Sequence, residues 1–135
     1  MTNTILIVDD EPHMLRITEL SLKKAGFNLL IARSGNEALQ LARQHLPALI
    51  VMDVVMPDLD GISALKELKA TPATDKIPVI MLTSRGQNVT RVDAEGSGAA
   101  LYLTKPFSPS ALAAEARRII EAAAAAEPNP PAASA

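Results

Sequence analysis

The 135-residue sequence lacks cysteine and tryptophan and contains one tyrosine and two phenylalanines. Without cysteine the chain has no disulfide, no thiolate metal site and no cysteine nucleophile. Its 13 basic and 15 acidic residues give a formal net charge of -2, which offers no electrostatic reason to bind nucleic-acid phosphates. No apolar run approaches the ~20 residues of a membrane span, and no basic secretory signal precedes one. We therefore expect a cytoplasmic protein without membrane insertion and without direct nucleic-acid binding.

Ile, Leu, Val, Ala and Met must build the core, because 48% of the residues are hydrophobic but only 2% are aromatic. The length suits one domain and is too short for two of ordinary size. Residues 1–126 carry helix and strand patterns, whereas residues 127–135 are rich in proline and alanine. We expect a domain over 1–126 and a disordered tail over 127–135.

Short apolar runs alternate with amphipathic segments along the whole domain. The apolar runs predict strands at 4–8, 27–32, 46–52, 77–82 and 100–103. The amphipathic segments predict helices at 14–24, 34–44 with Ser34 as a cap, 60–70, 88–95 and 108–120, the last continuing to 126. Strands without polar alternation, separated by helices, indicate a parallel sheet covered on both faces. The expected fold is therefore a doubly wound α/β domain with five strands and five helices.

Polar residues follow four of the predicted strands directly. They are Asp9 and Asp10 after the first strand, Asp53 after the third, Thr83 and Ser84 after the fourth, and Thr104 and Lys105 after the fifth. In doubly wound sheets, ligands bind at the carboxyl ends of the strands. Three carboxylates gathered there repel one another unless a cation neutralises them, and an oxygen-preferring ion such as Mg²⁺ fits.

A metal site alone does not need the hydroxyl and the lysine, but a phosphoryl group carried by one of the carboxylates needs both. An ammonium, a hydroxyl and a metal ion can together balance the charge spread over its oxygens. Asp53 is then the nucleophile that forms an acyl phosphate, with a strand-end hydroxyl and the Lys105 ammonium as catalytic helpers.

These segments, in this order, resemble the receiver domain of two-component response regulators (CheY-like, with a flavodoxin-like fold) over residues 3 to about 122. The matching segments are residues 5–10, Asp53-Val54-Val55-Met56-Pro57 with Asp60-Gly61, Thr83-Ser84, and Tyr102-Leu103-Thr104-Lys105-Pro106-Phe107. The resemblance implies the strand order 2-1-3-4-5. It also implies phosphorylation of Asp53 by a histidine kinase or a phosphotransfer protein, with Mg²⁺ required.

The resemblance further assigns individual residues. The metal ligands are Asp10, Asp53 and the backbone carbonyl of Val55, with Asp9 acting through water. Thr83 and Lys105 contact the phosphoryl oxygens, and Lys105-Pro106 is a cis peptide. Thr83 and Tyr102 form the switch, which alters the face made by the fourth helix, the fifth strand and the last helix for an unknown downstream protein.

Simpler interpretations exist for single residues. The acids at 9–11 could be first-turn acids favoured by a helix dipole, and Tyr102 could be ordinary core packing. His13 and His45 have no second ligand at useful spacing and are expected on the surface. Because chemically suitable polar residues follow four strands that end at the same edge, the phosphoacceptor interpretation is favoured over these simpler ones.

The sequence also departs from the usual receiver pattern. Val55 offers no acceptor that could orient an attacking water, so slow loss of the phosphoryl group is expected. Ala100 and Leu101 replace two frequent acids before the aromatic switch, and Ala111 and Glu115 do not reproduce the pair that builds a dimer face in DNA-binding relatives. A stand-alone receiver is expected, a fragment of a longer regulator being the alternative.

The competing function is a Mg²⁺-dependent phosphatase with an aspartyl-phosphate intermediate. Such enzymes usually place a second Asp two residues after the nucleophile, where this chain has Val55. We therefore expect a signalling domain that catalyses only its own phosphorylation and dephosphorylation.

Overall fold

The computed structural model describes residues 3–56, 59–84, 98–105 and 107–126. Strands and helices alternate along most of this length. The elements are β1 (Thr4–Val8), α1 (Pro12–Lys24), β2 (Asn28–Ala32), α2 (Gly35–His45), β3 (Leu49–Asp53), α3 (Gly61–Ala70), β4 (Val79–Ser84), β5 (Leu101–Lys105) and α4 (Pro109–Ala126).

The five strands form one parallel sheet in the order β2-β1-β3-β4-β5, which confirms the predicted doubly wound topology. The described residues contain four helices instead of the predicted five. The helix predicted at 88–95, the peptide bond between Lys105 and Pro106, and the tail at 127–135 all lie outside the described residues.

Helix starts follow the local sequence chemistry. Pro12 lies at the beginning of α1, where its missing N–H costs no hydrogen bond. The Ser34 hydroxyl accepts a hydrogen bond from the Glu37 N–H (3.1 Å), while the Glu37 carboxylate accepts one from the Arg33 N–H (2.8 Å). Asp60 caps α3 by accepting from the Ser63 N–H at 2.9 Å. The predicted Ser34 cap is therefore confirmed, and Asp60 is the cap of its helix, not the first helical residue.

The third strand begins later than predicted. Its expected start, Leu46, ends α2 in the left-handed conformation (φ 46, ψ 63), and its N–H donates to the Ala42 carbonyl at 2.9 Å. Pro47 follows, and β3 begins at Leu49. The apolar run at 46–52 therefore spans two structural elements. Its first residue caps a helix, and only its later residues form the strand.

Two apolar clusters cover the two faces of the sheet. Successive strand residues alternate between the clusters, as expected for strands buried on both sides. The first cluster joins the sheet to α2 and α3 through Leu6, Val8, Ala38, Leu39, Ala42, Ile50, Met52, Ala64, Leu65, Leu68, Val79 and Met81. The second joins it to α1 and α4 through Ile5, Ile7, Leu15, Leu22, Leu49, Val51, Ile80, Leu82, Leu112, Ala116 and Ile119. Truncating one of the larger side chains is expected to cost about 2–5 kcal/mol, so the sheet is a rigid support for whatever its edge carries.

In the described part of the chain, no helix combines the length and the apolar character that crossing a membrane would require.

Candidate functional site

The carboxyl ends of β1, β3 and β5 bring together residues far apart in sequence. Asp9 directly follows β1, and hydrogen bonds hold both its backbone and its side chain. Its N–H donates to the Ala32 carbonyl at 3.1 Å, and one carboxylate oxygen accepts from the Glu11 N–H at 3.0 Å. The residue is 1% exposed, so its carboxylate is fixed inside the edge of the sheet.

Asp53 is the last residue of β3 and is 6% exposed. One of its carboxylate oxygens accepts from the Val55 N–H at 3.3 Å. The chain after it is fixed on both sides, because the Val54 N–H donates to the Leu82 carbonyl at 3.0 Å and the Val54 carbonyl accepts from the Gly61 N–H at 2.7 Å. The direction of the Asp53 side chain is therefore determined by backbone contacts with two neighbouring elements.

Lys105 ends β5 and joins the two carboxylates. Its Nζ lies 2.9 Å from Asp53 Oδ2 and 3.2 Å from Asp9 Oδ2. Burial lowers the pKa of Lys105, but its hydrogen bond to Asp53 and the charges of both acids outweigh burial, so the pKa lies above its ordinary value. At neutral pH, Lys105 is therefore a cation held between two carboxylates.

The pKa of Asp9 is raised, chiefly because burial disfavours its charged form. The Glu11 N–H and Lys105 act in the opposite direction, and the nearby charge of Asp53 adds to the rise. Lys105 therefore favours the ionised form of Asp9, and a second cation at this edge would favour it further.

Three carboxylates offer oxygen ligands for such a cation. One oxygen each of Asp9, Asp10 and Asp53 lies within 4.8 Å of the others, and Asp10 is the exposed member. With Lys105, the set carries a formal charge of two negative units, which a divalent ion would neutralise. Each oxygen of Asp9 and of Asp53 already accepts one hydrogen bond, so an ion would use the remaining lone pairs of these oxygens together with the exposed Asp10 carboxylate. Hard oxygen donors at an accessible edge fit Mg²⁺, which typically uses one or two carboxylates and keeps several waters.

Thr83 and Tyr102 lie on the neighbouring strands. Thr83, on β4, is partly buried, and its hydroxyl donates to the Leu103 carbonyl at 3.5 Å. Tyr102, on β5, is partly buried and packs against the cluster beneath α2 and α3. Packing of Tyr102 is thus observed, and its role as a switch stays a prediction. His13 and His45 are exposed, as expected.

Two glycines support the site, and their contacts were not predicted from the sequence. A Cβ on Gly61 would overlap the Asp53 carbonyl and the Val54 Cα, and a Cβ on Gly35 would lie 2.5 Å from the Leu59 carbonyl oxygen. Each glycine directly follows a helix cap, in the pairs Ser34-Gly35 and Asp60-Gly61. A glycine at the first helical position, where alanine would favour the helix more, is the sequence signal that could have revealed both contacts.

Comparison with known proteins identifies the class. A family model described as the response regulator receiver domain matches residues 5–117. The ycf27 protein of Porphyra purpurea, named as a transcriptional regulator, is 40% identical over 119 residues, which are 88% of this chain and 48% of that protein. A crystal structure from Chloroflexus aurantiacus J-10-fl, described as a response regulator, has a TM-score of 0.84 and 36% identity, covering 90% of this chain and 99% of that one.

A second structural relative carries a metal ion. The receiver domain of sensor histidine kinase PA1611 from Pseudomonas aeruginosa PAO1 has a TM-score of 0.81 and 30% identity, covering 90% of this chain and 99% of that one. Its description places a magnesium ion in the active site cleft of that protein.

The fold and the acidic edge thus define a signalling domain of the two-component type. The chain belongs to the response regulator receiver domain family. It spans about half the length of the curated relatives it matches.

Proposed function

We propose that the chain accepts a phosphoryl group on Asp53 from a phosphohistidine of a histidine kinase or phosphotransfer protein. The observation that carries this proposal is the buried Asp53 carboxylate, held between the Val55 N–H and Lys105 beside Asp9. An Asp53 oxygen attacks the phosphorus, the phosphorus–nitrogen bond breaks, and its electron pair leaves with the donor imidazole. The product is an acyl phosphate on Asp53.

The proposed metal ligands are Asp10, Asp53 and the Val55 carbonyl, with Asp9 acting through water. Bound Mg²⁺ would supply positive charge next to the transferred phosphoryl oxygens. Asp9 keeps its two hydrogen-bond partners, Glu11 N–H and Lys105, so it holds the lysine in place while acting on the metal through water. Asp10, the exposed carboxylate, remains free to turn toward an incoming ion.

Lys105 and Thr83 are proposed to stabilise the phosphoryl group once it is in place. The Lys105 ammonium already contacts an Asp53 oxygen, so it needs only a small shift to reach a phosphoryl oxygen. The Thr83 hydroxyl has to exchange its long contact with the Leu103 carbonyl for the new acceptor. Exchange of that contact, followed by movement of Tyr102, is the proposed switch that alters the output face for a downstream protein.

The alternative, an aspartyl-phosphate phosphatase, is disfavoured by the residue two positions after the nucleophile. Val55 is 56% exposed, and an isopropyl group can neither donate nor accept a proton. We propose that the chain signals in the cytoplasm through contact with a protein. Direct nucleic-acid binding is not part of the proposal, because the net charge of the chain is slightly negative. The regulators it resembles are about twice as long.

Incubation with acetyl phosphate and Mg²⁺ tests the proposal. We expect mass spectrometry of the intact protein to detect a phosphoryl adduct, and borohydride reduction followed by digestion to map it to Asp53. No adduct should form when a chelator is present during the incubation. Asp53→Asn removes the nucleophile, and Asp75→Asn is a matched control at an exposed acid away from the site. An adduct of equal yield in Asp53→Asn would overturn the assignment.

A further inference from the structure

The described residues of the loop after Asp53, 54–56 and 59–60, are anchored against their surroundings at several points. At its start, Val54 bonds to β4 and to Gly61 through its backbone, and the Met56 side chain is buried in the cluster beneath α2 and α3. At its end, Leu59 packs against the same cluster. The loop carries Val55, whose backbone carbonyl is the proposed metal ligand. The position of this carbonyl therefore depends on these anchors.

The anchor at Leu59 depends on a missing side chain. A Cβ on Gly35 would lie 2.5 Å from the Leu59 carbonyl oxygen and 2.8 Å from the Leu59 Cβ, whereas ordinary contacts begin at 3.4 Å. Most of this overlap involves backbone, which a rotamer change cannot relieve.

Helix geometry does not explain the glycine. Gly35 is the first residue of α2 and has no left-handed backbone, and alanine is the better helix former there. The Ser34 cap would also be unaffected, because its hydroxyl bonds to the Glu37 N–H. The close approach of Leu59 is therefore the feature that requires glycine at position 35.

We propose that Gly35 is a positioning residue for the metal site: by letting the loop after Asp53 pack directly on the start of α2, it holds the Val55 carbonyl where it can bind Mg²⁺. This inference rests on the proposed function. A side chain at position 35 would push the Leu59 backbone away by roughly 1 Å, so transmission of about half of this shift along the loop to the Val55 carbonyl would reach the ~0.5 Å tolerance of a binding site. Mg²⁺ demands near-ideal octahedral geometry, so it is sensitive to such a shift.

The test is the Mg²⁺ affinity of Gly35→Ala, measured by isothermal titration calorimetry in parallel with thermal unfolding in a chelator. We expect Mg²⁺ binding to weaken at least tenfold, the usual effect of disturbing the groups that orient metal ligands. Gly26→Ala is the matched control. Its Cβ would meet nothing within 4 Å, but its φ of +100 makes the substitution strained, so it should lower the melting temperature and leave Mg²⁺ affinity unchanged.

The outcomes are distinguishable. If wild type and Gly35→Ala bind Mg²⁺ equally, Gly35 has no positioning role, even if the variant melts earlier. If wild type itself fails to bind Mg²⁺ while remaining folded, the proposed metal site is wrong and this inference falls with it. Should Gly35→Ala not fold, Leu59→Ala removes the side chain that packs on the cluster beneath α2 and α3 and so loosens the same end of the loop, which should also weaken Mg²⁺ binding. Unchanged Mg²⁺ affinity in Leu59→Ala would then overturn the proposal.

Discussion

At the scale of a single residue, Lys105 is the cation that the chain itself supplies to the site. Its Nζ contacts Asp53 at 2.9 Å and Asp9 at 3.2 Å, and both acids are almost fully buried. Removing one partner from a buried charge group leaves the others without compensation. Lys105 is charged at neutral pH, so its contribution to the stability of the folded protein is present there. Because its folded-state pKa is raised, this contribution is lost only as the pH rises through that pKa, above 10.5.

The substitution Lys105→Met is expected to lower the free energy of unfolding in a chelator by about 3 kcal/mol, because Asp9 and Asp53 then face each other without a cation. Mg²⁺ should restore part of this loss, so the Mg²⁺-induced rise in melting temperature should be larger in the variant than in wild type. Thermal unfolding with and without Mg²⁺ measures both quantities. Lys76→Met, at an exposed lysine, is the control, and an equal Mg²⁺-induced rise in Lys105→Met and wild type would contradict this account.

Val55 sets the expected lifetime of the phosphorylated state. Its side chain lies in solvent beside the nucleophile but cannot orient a water molecule. Val55→Asn supplies an amide oxygen at this position and should accelerate hydrolysis of phospho-Asp53 roughly tenfold or more. The half-life of the phosphorylated protein after removal of acetyl phosphate measures the effect, and Val55→Leu should leave it unchanged. A rate in Val55→Asn equal to that of wild type would show that this position does not limit hydrolysis.

At the scale of elements, α2 ends with an unfavourable cap. Leu46 has a left-handed backbone and a side chain that is 48% exposed, so it combines conformational strain with an apolar group in water. Leu46→Gly should raise the free energy of unfolding by about 0.5–1 kcal/mol, because glycine adopts this conformation without strain. Chemical denaturation measures the change. Leu20→Gly is the control at an equally exposed leucine inside α1, where the same substitution should destabilise, and a loss of stability in both variants would show that Leu46 is not strained.

A partly buried lysine, Lys69, connects α3 to the chain that leads into β4. Lys69 Nζ donates to the Asp75 carbonyl at 3.0 Å and to the Ile77 carbonyl at 2.7 Å. Burial lowers the pKa of Lys69 below its ordinary 10.5, despite the opposing charge of Asp75. The folded protein therefore releases this proton at a lower pH than the unfolded chain. The stability that this titration contributes is complete above pH 10.5 and is lost as the pH falls through the folded-state pKa.

The stability difference between wild type and Lys69→Met should therefore grow in favour of wild type as the pH rises from neutral toward 10.5. Urea unfolding at a series of pH values measures it. Lys66→Met removes an exposed lysine from the same helix and reports the general effect of losing one positive charge. A pH dependence of Lys69→Met that matches that of Lys66→Met would mean that burial of Lys69 has no measurable consequence.

The elements also show where sequence reasoning succeeds and where it stops. Uninterrupted apolar runs predicted five parallel strands, and the polar residues after them predicted which side chains meet at one edge. Strand boundaries were less accurate, because a backbone hydrogen-bond ladder continues through a polar residue such as Asp53 or Lys105. The pairing of Lys105 with both Asp9 and Asp53 depends on side-chain distances that no spacing in the sequence reveals. The contact of Gly35 with Leu59 could not be predicted either, because it depends on how closely the loop after β3 approaches the start of α2.

At the scale of the whole molecule, the position of the last core residue defines how much of the chain the fold requires. Helix α4 buries Leu112, Ala116 and Ile119, and Arg117 donates to the Ala25 carbonyl at 2.7 Å and lies over the Phe27 ring. Beyond Ile120, the helix continues to Ala126, and residues 121–125 are mostly exposed. The family model ends at residue 117, close to the last of these contacts. The domain boundary at residue 126 stays a prediction, and the last buried apolar residue of the described helix is Ile119.

A chain ending at Ile120 should consequently keep the melting temperature, the Mg²⁺ affinity and the phosphorylation of Asp53 of the full chain, because residues 121–125 are mostly exposed and add little buried apolar surface. A chain ending at Glu115 should lose at least about 3 kcal/mol, since it removes Ile119 from the core and the Arg117 contact with α1. Thermal unfolding and calorimetry of the two truncations measure the difference. If ending at Ile120 destabilises the protein as much as ending at Glu115, the alanine-rich turns are part of the folded unit, and the packing of α1 against α4 does not mark its limit.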